Sequence, residues 1–278
     1  MAPELAAIDR AAILRFLELR AEIPSLDYLG RLQRAVKHHV PWESASRVVR
    51  AASVPALEDR PRRPAEFWQR AMIDRTGGTC FESDYAFGLL LRALGFDAAF
   101  RINDMPDHDA VACHAAVVVT IDGARYLADV GLGSPIECPL PLDVEGERVV
   151  HGGSERYRLR PETAETVALS REGARDDLEN APLYLFVDRP VSDAEYDARV
   201  AADYGTGGLF LDAVRLTRWH ADGTALRFSP DRGLTERVER RWRDRAWASD
   251  DRVRELAKLF AMPHAVLARA FVEVGAAP

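Results

Sequence analysis

The chain predicts an α+β fold, and three observations carry that expectation. Apolar residues recur at helical spacing through the first 95 residues, short β-forming runs separated by turn signals replace them after about residue 96, and a last hairpin is followed by two more amphipathic stretches. With 278 residues, 47% of them hydrophobic and 29% charged, there is material for one large core or two to three smaller ones.

The first helix is expected over Ile8–Ala21 and a second from Pro24-Ser25 to about His39. Pro41-Trp42-Glu43-Ser44 reads as a break, and Glu58–Pro64, with three arginines and two prolines, as a solvated connection. Pro64 opens a third helix running to about Asp74. The stretch Arg75-Thr76-Gly77-Gly78-Thr79-Cys80-Phe81-Glu82 then reads as a tight glycine turn that delivers a cysteine to a helix start. Thr79 and Glu82 have capping-box spacing, and Gly95 ends that helix. Strands are expected at Ala98–Ile102, Val111–Ile121 and Arg125–Val130, with Asn103–Asp109 as a polar loop and Asp122-Gly123 as a hairpin turn. Arg148–Val150, Arg156–Leu159, Thr166–Ser170 and Leu183–Val187 would complete a small antiparallel barrel or sandwich. A second hairpin joins Leu209–His220 to Thr224–Phe228 through Asp222-Gly223. Arg237–Arg245 reads as a solvated face of mixed charge, and Asp250–Phe260 and His264–Val274 as closing helices.

Composition excludes several functions. A formal charge of −7 argues against a general nucleic-acid binder. No apolar run reaches the length of a membrane span, and the first residues lack the pattern of a secretory signal, so a cytoplasmic location is the default expectation. Cys80, Cys113 and Cys138 match no zinc spacing and leave one thiol over under any single disulfide, which suits a reducing compartment and implies no metal.

Cys80 is the candidate nucleophile, because the dipole and unpaired amides of a helix start favour a thiolate. Taken singly, a buried small hydrophobe is the commoner role for a cysteine, and Cys113 and Cys138 are assigned to packing. A base and its orienter follow from the Asp122-Gly123 turn. A two-residue turn pairs Ile121 with Ala124, which brings Ala116 opposite Asp129 and sets His114 on the same face as a diagonal neighbour, with Cβ atoms about 7 Å apart. An imidazole and a carboxylate so placed are what a cysteine nucleophile needs. His38, His39, His108, His151, His220 and His264 show no comparable role.

These residues resemble the arylamine N-acetyltransferase family, whose members carry a cysteine-protease-like Cys-His-Asp triad. The family's Arg-Gly-Gly-x-Cys-aromatic-Glu motif is similar to Gly77–Glu82, its histidine strand to His114-Ala-Ala-Val-Val-Val, its Asp-Val-Gly-Phe-Gly loop to Asp129-Val130-Gly131-Leu132-Gly133, and its Pro-Phe-Glu-Asn to Pro41–Ser44. The Gly208–Phe228 region resembles its C-terminal hairpin. The resemblance implies a helical domain over residues 1–95 carrying the nucleophile, a β-barrel domain over 96–205 carrying the histidine and aspartate, and an α/β lid over 206–278. It implies Cys80, His114 and Asp129 as the triad and a ping-pong transfer of an acyl group, typically from acetyl-CoA as co-substrate, to an arylamine or related amine, with no permanent cofactor. Gly131 and Gly133 become candidates for close backbone approach to CoA. Thr76, Thr79, Ser44 and Asp84 depart from the family pattern around the nucleophile and bear on acceptor and donor. Two other readings compete: an amide synthase that closes acyl chains borne by a carrier protein, and a catalytically silent binding protein. Water as acceptor would make a thioester hydrolase.

Overall fold

The computed structural model describes residues 9–105, 110–134, 136–143, 145–172 and 182–276. Within them the helices are α1 (Arg10–Phe16), α2 (Leu26–His39), α3 (Ala45–Ser53), α4 (Pro64–Asp74), α5 (Cys80–Ala93), α6 (Asp193–Asp203), α7 (Arg252–Phe260) and α8 (His264–Glu273). Ser25 caps α2 by accepting the Tyr28 N–H at 3.2 Å, and Pro64 occupies the first turn of α4, where its missing N–H costs nothing. Two helices, α3 and α6, go beyond the sequence reading.

α5 is the central element. Every residue from Cys80 to Leu91 is buried, as expected of a helix apolar on most of its circumference. α6 covers it from one side: Tyr196 Oη donates to Phe81 O at 2.8 Å, and its ring stacks on Tyr85 with centroids 4.8 Å apart. On another side β2 comes so close that a Cβ on Gly88 would stand 2.3 Å from the Phe100 ring.

The larger sheet has nine antiparallel strands: β2 (Asp97–Met105), β3 (Ala110–Ile121), β4 (Ala124–Ala128), β5 (Leu140–Pro141), β6 (Arg148–His151), β7 (Arg156–Pro161), β8 (Thr166–Glu172), β9 (Pro182–Val187) and β10 (Pro190–Val191). Their order is β5-β4-β3-β2-β9-β8-β7-β6, with β10 beside β2. The sheet curls until its ends meet, the Glu137 N–H donating to Gly152 O at 2.8 Å, which makes a nearly closed barrel. Its interior is filled by Val118, Leu127, Tyr157, Leu159, Tyr184 and Phe186, among others.

The second sheet has five strands in the order β1-β11-β12-β13-β14, where β1 is Trp42–Glu43, β11 Leu216–Trp219, β12 Ala225–Ser229, β13 Gly233–Val238 and β14 Arg241–Asp244. Its first strand therefore comes from the break expected at Pro41–Ser44. α7 and α8 pack on it through Leu256, Phe260, Leu267 and Phe271.

The β3–β4 turn has left-handed backbone at Asp122 (φ 51°) and Gly123 (φ 81°), the two-residue type whose twist matches the strands. The register runs from Ile121 opposite Ala124 to Val117 opposite Ala128, as the turn demands.

Four local expectations need correction. Asn103 and Asp104 continue β2 instead of opening a loop, because their side chains bond the neighbouring strands: Asn103 Oδ1 accepts the Val187 N–H at 2.9 Å and Asp104 Oδ1 the Ala112 N–H at 2.6 Å. The remainder of that polar stretch, residues 106–109, lies outside the described residues. The Glu58–Pro64 connection is not wholly solvated, since Arg62 is buried on Glu82. Arg237–Arg245 is a hairpin, turned by left-handed Glu239 and Arg240, and Arg237 is buried against Glu155. Gly77 and Gly78 do not form a left-handed turn; Trp42 pairs with Gly78 in parallel, and a Cβ on Gly77 would fall 1.6 Å from Pro41 O. Those glycines are needed for close approach, and the left-handed residue is Arg75 (φ 58°).

Candidate active site

Cys80 is the first residue of α5, yet no capping box forms. Thr79 makes no side-chain cap, and Glu82 turns away to Arg62. One Glu82 oxygen accepts the Arg62 N–H at 2.9 Å and the Tyr204 hydroxyl at 2.6 Å, and the other accepts the Arg62 guanidinium. The same guanidinium donates to Gly77 O at 2.6 Å, so one buried ion pair fixes the segment leading to Cys80. Burial opposes the charge on Glu82, but Arg62 outweighs it and holds the carboxyl below its usual range.

The thiol is nearly inaccessible, 4% exposed, and lies 3.7 Å from Cys113 O, the carbonyl just before His114. Burial pushes its pKa well above the ordinary value, with the Ala115 N–H acting in the opposite direction. Burial thus works against the pull of the helix start on this thiol.

β3 and the end of β4 bring a histidine and a carboxylate together. His114 Nε2 and Asp129 Oδ2 are 2.8 Å apart, both fully enclosed, and the Tyr184 ring packs on the imidazole with centroids 4.4 Å apart. With Nε2 engaged by the carboxylate, Nδ1 is the other ring nitrogen able to exchange a proton. Burial would raise the Asp129 pKa, but His114, Lys37 and the Leu132 N–H together hold it below the usual value. Next to His114, Ala112 has left-handed backbone (φ 51°) and the β2–β3 register shifts, a bulge of the kind that re-aims a side chain.

The two glycines after Asp129 differ in role. A Cβ on Gly131 would stand 2.4 Å from Cys80 Cα and 2.2 Å from Asp84 Oδ2, so its close approach is to the helix that Cys80 starts. At Gly133 a Cβ would make only ordinary contacts, 3.6 Å to Thr217 Oγ1 and 3.8 Å to Trp42.

Residues beyond the sequence-derived set hold the Asp129 loop. Asp84, one helical turn after Cys80, accepts the Val130 and Gly131 N–H groups at 3.0 and 3.1 Å. From α2, Lys37 Nζ donates to Leu132 O and, at 2.9 Å, to Ser134 O, while Gln33 reaches Ile136 O at 2.9 Å. Trp219 Nε1 donates to Gly133 O at 3.1 Å. A sequence signal existed for two of these. Gln33 and Lys37 continue the buried stripe of Leu29 and Val36, and Lys37 is one of only two lysines in a chain whose other cations are arginines.

The family model described as N-acetyltransferase matches residues 25–238. This chain belongs to that family. As an N-acetyltransferase family member it is 29% identical over 177 residues to the arylamine N-acetyltransferase of Mycolicibacterium smegmatis, an alignment covering 60% of each chain. The chain spans between a half and two-thirds of the length of the curated relatives it matches. The structure of the arylamine N-acetyltransferase from Mycobacterium abscessus superposes with a TM-score of 0.80 at 22% identity, over 98% of this chain and 97% of that one. The Mycobacterium marinum arylamine N-acetyltransferase in complex with CoA gives 0.78 at 22% identity, over 94% and 98%. The likeness to these structures is one of fold. Among the described residues no helix is long and apolar enough to cross a membrane, and no cluster of ligating side chains suits a metal ion.

Proposed function

We propose that the protein transfers an acyl group, acetyl in the first instance, from CoA to an arylamine or related amine through a thioester on Cys80. The observation that carries this reading is the enclosed His114–Asp129 pair at 2.8 Å, with His114 next in sequence to Cys113, whose carbonyl lies 3.7 Å from the Cys80 thiol. In the first half-reaction His114 takes the thiol proton as Cys80 Sγ attacks the thioester carbonyl, and returns it to the departing CoA thiolate. In the second, the amine attacks the acyl-Cys80 carbonyl, His114 accepts the amine proton, and the Cys80 sulfur leaves and is reprotonated. Backbone amides at the start of α5 would hold the oxyanion. Asp129 keeps the imidazole oriented and stabilises it when charged.

Two arginines support CoA as donor. Arg171 stands opposite Tyr157, whose hydroxyl lies 3.1 Å from Ser134 Oγ, and Arg227 stands opposite Thr217, which abuts Gly133. Cations from both sheets thus stand one strand away from the Gly133–Ser134 loop. Neither makes an ion pair among the described residues; Arg227 instead stacks on Trp242 at 4.3 Å. Burial, and then the like charges of Arg171 and Arg232, draw the Arg227 pKa down to about 10, so an anion there would be welcome. A donor with several phosphates uses such a pair better than the single phosphodiester of a carrier-protein arm. On this reading residues 1–95 present the nucleophile, 96–205 the base and its orienter, and 206–278 cover the site, in a reducing cytoplasm that suits three cysteines outside any disulfide.

The test is CoA release from acetyl-CoA over a panel of arylamines and hydrazines. Amine-dependent release that disappears in Cys80→Ala supports the reading. Release unaffected by that change refutes it, and turnover only with a carrier-bound acyl chain would move the assignment to an amide synthase.

A further inference from the structure

The Asp129 loop is held from two sides by groups of opposite charge. Asp84, on the Cys80 face of α5, takes the Val130 and Gly131 N–H groups with its two oxygens. Lys37, on the buried stripe of α2, gives its ammonium to the carbonyls of Leu132 and Ser134. Both side chains are enclosed, at 0% and 5% exposure. Two carboxyls, Asp84 and Asp129, therefore share one enclosed site, a situation in which like charges drive one group to protonate unless a cation compensates.

We propose that Lys37 is a positioning residue for the triad: its ammonium balances the second buried carboxylate, Asp84, so that Asp129 stays ionised on His114, while its hydrogen bonds hold the loop on which Asp129 stands. The inference rests on the triad reading above. The groups facing Lys37 are Asp84 from α5, Asp129 with its partner His114 from the barrel, and Glu137, itself bonded to His38 at 3.1 Å. Burial raises the Asp84 carboxyl well above its ordinary value and the charge of Asp129 adds to that. Burial lowers the Lys37 pKa, against the pull of Asp129, Asp84 and Glu137.

Removing a fixed cation raises the proton affinity of every acid near it. Lys37→Met, which keeps the length of the chain and deletes the charge, is expected to shift the acid limb of Cys80 reactivity up by about one pH unit, making modification roughly tenfold slower at a pH below the limb. Removing Asp84 as well, in Lys37→Met/Asp84→Asn, deletes the opposing charge and is expected to bring the limb back to within a few tenths of a unit of wild type.

The experiment is the pH dependence of the iodoacetamide reaction at Cys80, read by peptide mass, which needs no acyl donor. An upward shift in the single variant that the double variant cancels supports the proposal. A limb that stays in place in Lys37→Met, with only a lower rate, overturns it and leaves the triad reading standing. If Lys37→Met does not fold, the double variant decides: a folded protein with a wild-type limb supports charge balance, and a displaced limb or a second failure to fold overturns it. A wild-type profile with no acid limb would defeat the triad reading and this proposal together.

Discussion

Asp129 has both carboxylate oxygens in use, one on His114 Nε2 and the other on the Leu132 N–H at 3.0 Å, in a place with no exposure to solvent. Replacing it by Asn keeps the shape but removes the charge that steadies an imidazolium, and Asn can present its NH2 to the ring and select the wrong tautomer. Asp129→Asn is expected to cut turnover by about 10³- to 10⁴-fold while thermal melting changes little; a loss below tenfold in steady-state assays would show that His114 works without its carboxylate. A second prediction concerns Glu82. Its pKa is depressed by Arg62, so the stabilisation it gives is fully present above the unfolded carboxyl pKa, about 4.3, and is lost as the pH falls through its folded value. Glu82→Gln leaves Arg62 buried without its counter-charge and is expected to cost about 3–5 kcal/mol at neutral pH, with the deficit shrinking in acid. Denaturant melts at neutral and acid pH check both magnitude and direction.

Among the elements, the β3–β4 hairpin was the most legible in sequence. Asp122-Gly123 dictates its own turn type, the turn dictates register, and register brings Asp129 beside His114. The start of α5 was legible only in part. The Thr79/Glu82 spacing suggested a cap, but a carboxylate with a buried guanidinium within reach gains more from the ion pair than from a backbone N–H, and nothing in the run of arginines from Arg60 to Arg63 marks Arg62 as the one turned inward. The loop from Gly131 to Gly133 gives a paired prediction. Gly131→Ala drives a methyl into Cys80 and Asp84 and is expected to destabilise the fold by roughly 1–3 kcal/mol and slow Cys80 alkylation. Gly133→Ala meets only ordinary contacts and is expected to leave the melting midpoint unshifted; a rise in KM for acetyl-CoA in that variant would mark Gly133 as facing the donor. Equal melting of the two variants would contradict the packing described here.

At the scale of the whole molecule, the α+β plan followed from where apolar periodicity changes, but the assembly of the second sheet did not. Its first strand is two residues long and comes from residue 42, far from its partners in sequence, and no local pattern announces a pairing across more than 170 positions, as between Trp42 and Thr217. That pairing sets Thr217 beside Gly133, with Arg227 opposite Thr217 on the next strand. If Arg227 meets the phosphates of CoA, Arg227→Gln is expected to raise KM for acetyl-CoA about tenfold with kcat little changed, and to leave the reaction of a phosphate-free acetyl thioester alone. Parallel kinetics with the two donors would separate that outcome from general damage to the fold.

The central claim is that Cys80 carries the acyl group between donor and acceptor. Mass analysis of the protein mixed with acetyl-CoA in the absence of amine, followed by peptide mapping, tests it most directly. One acetyl group on the peptide containing Cys80, discharged when an arylamine is added and absent in His114→Ala, is the result expected. No covalent adduct under conditions where the amine is acetylated, or an adduct confined to Cys113 or Cys138, would contradict it.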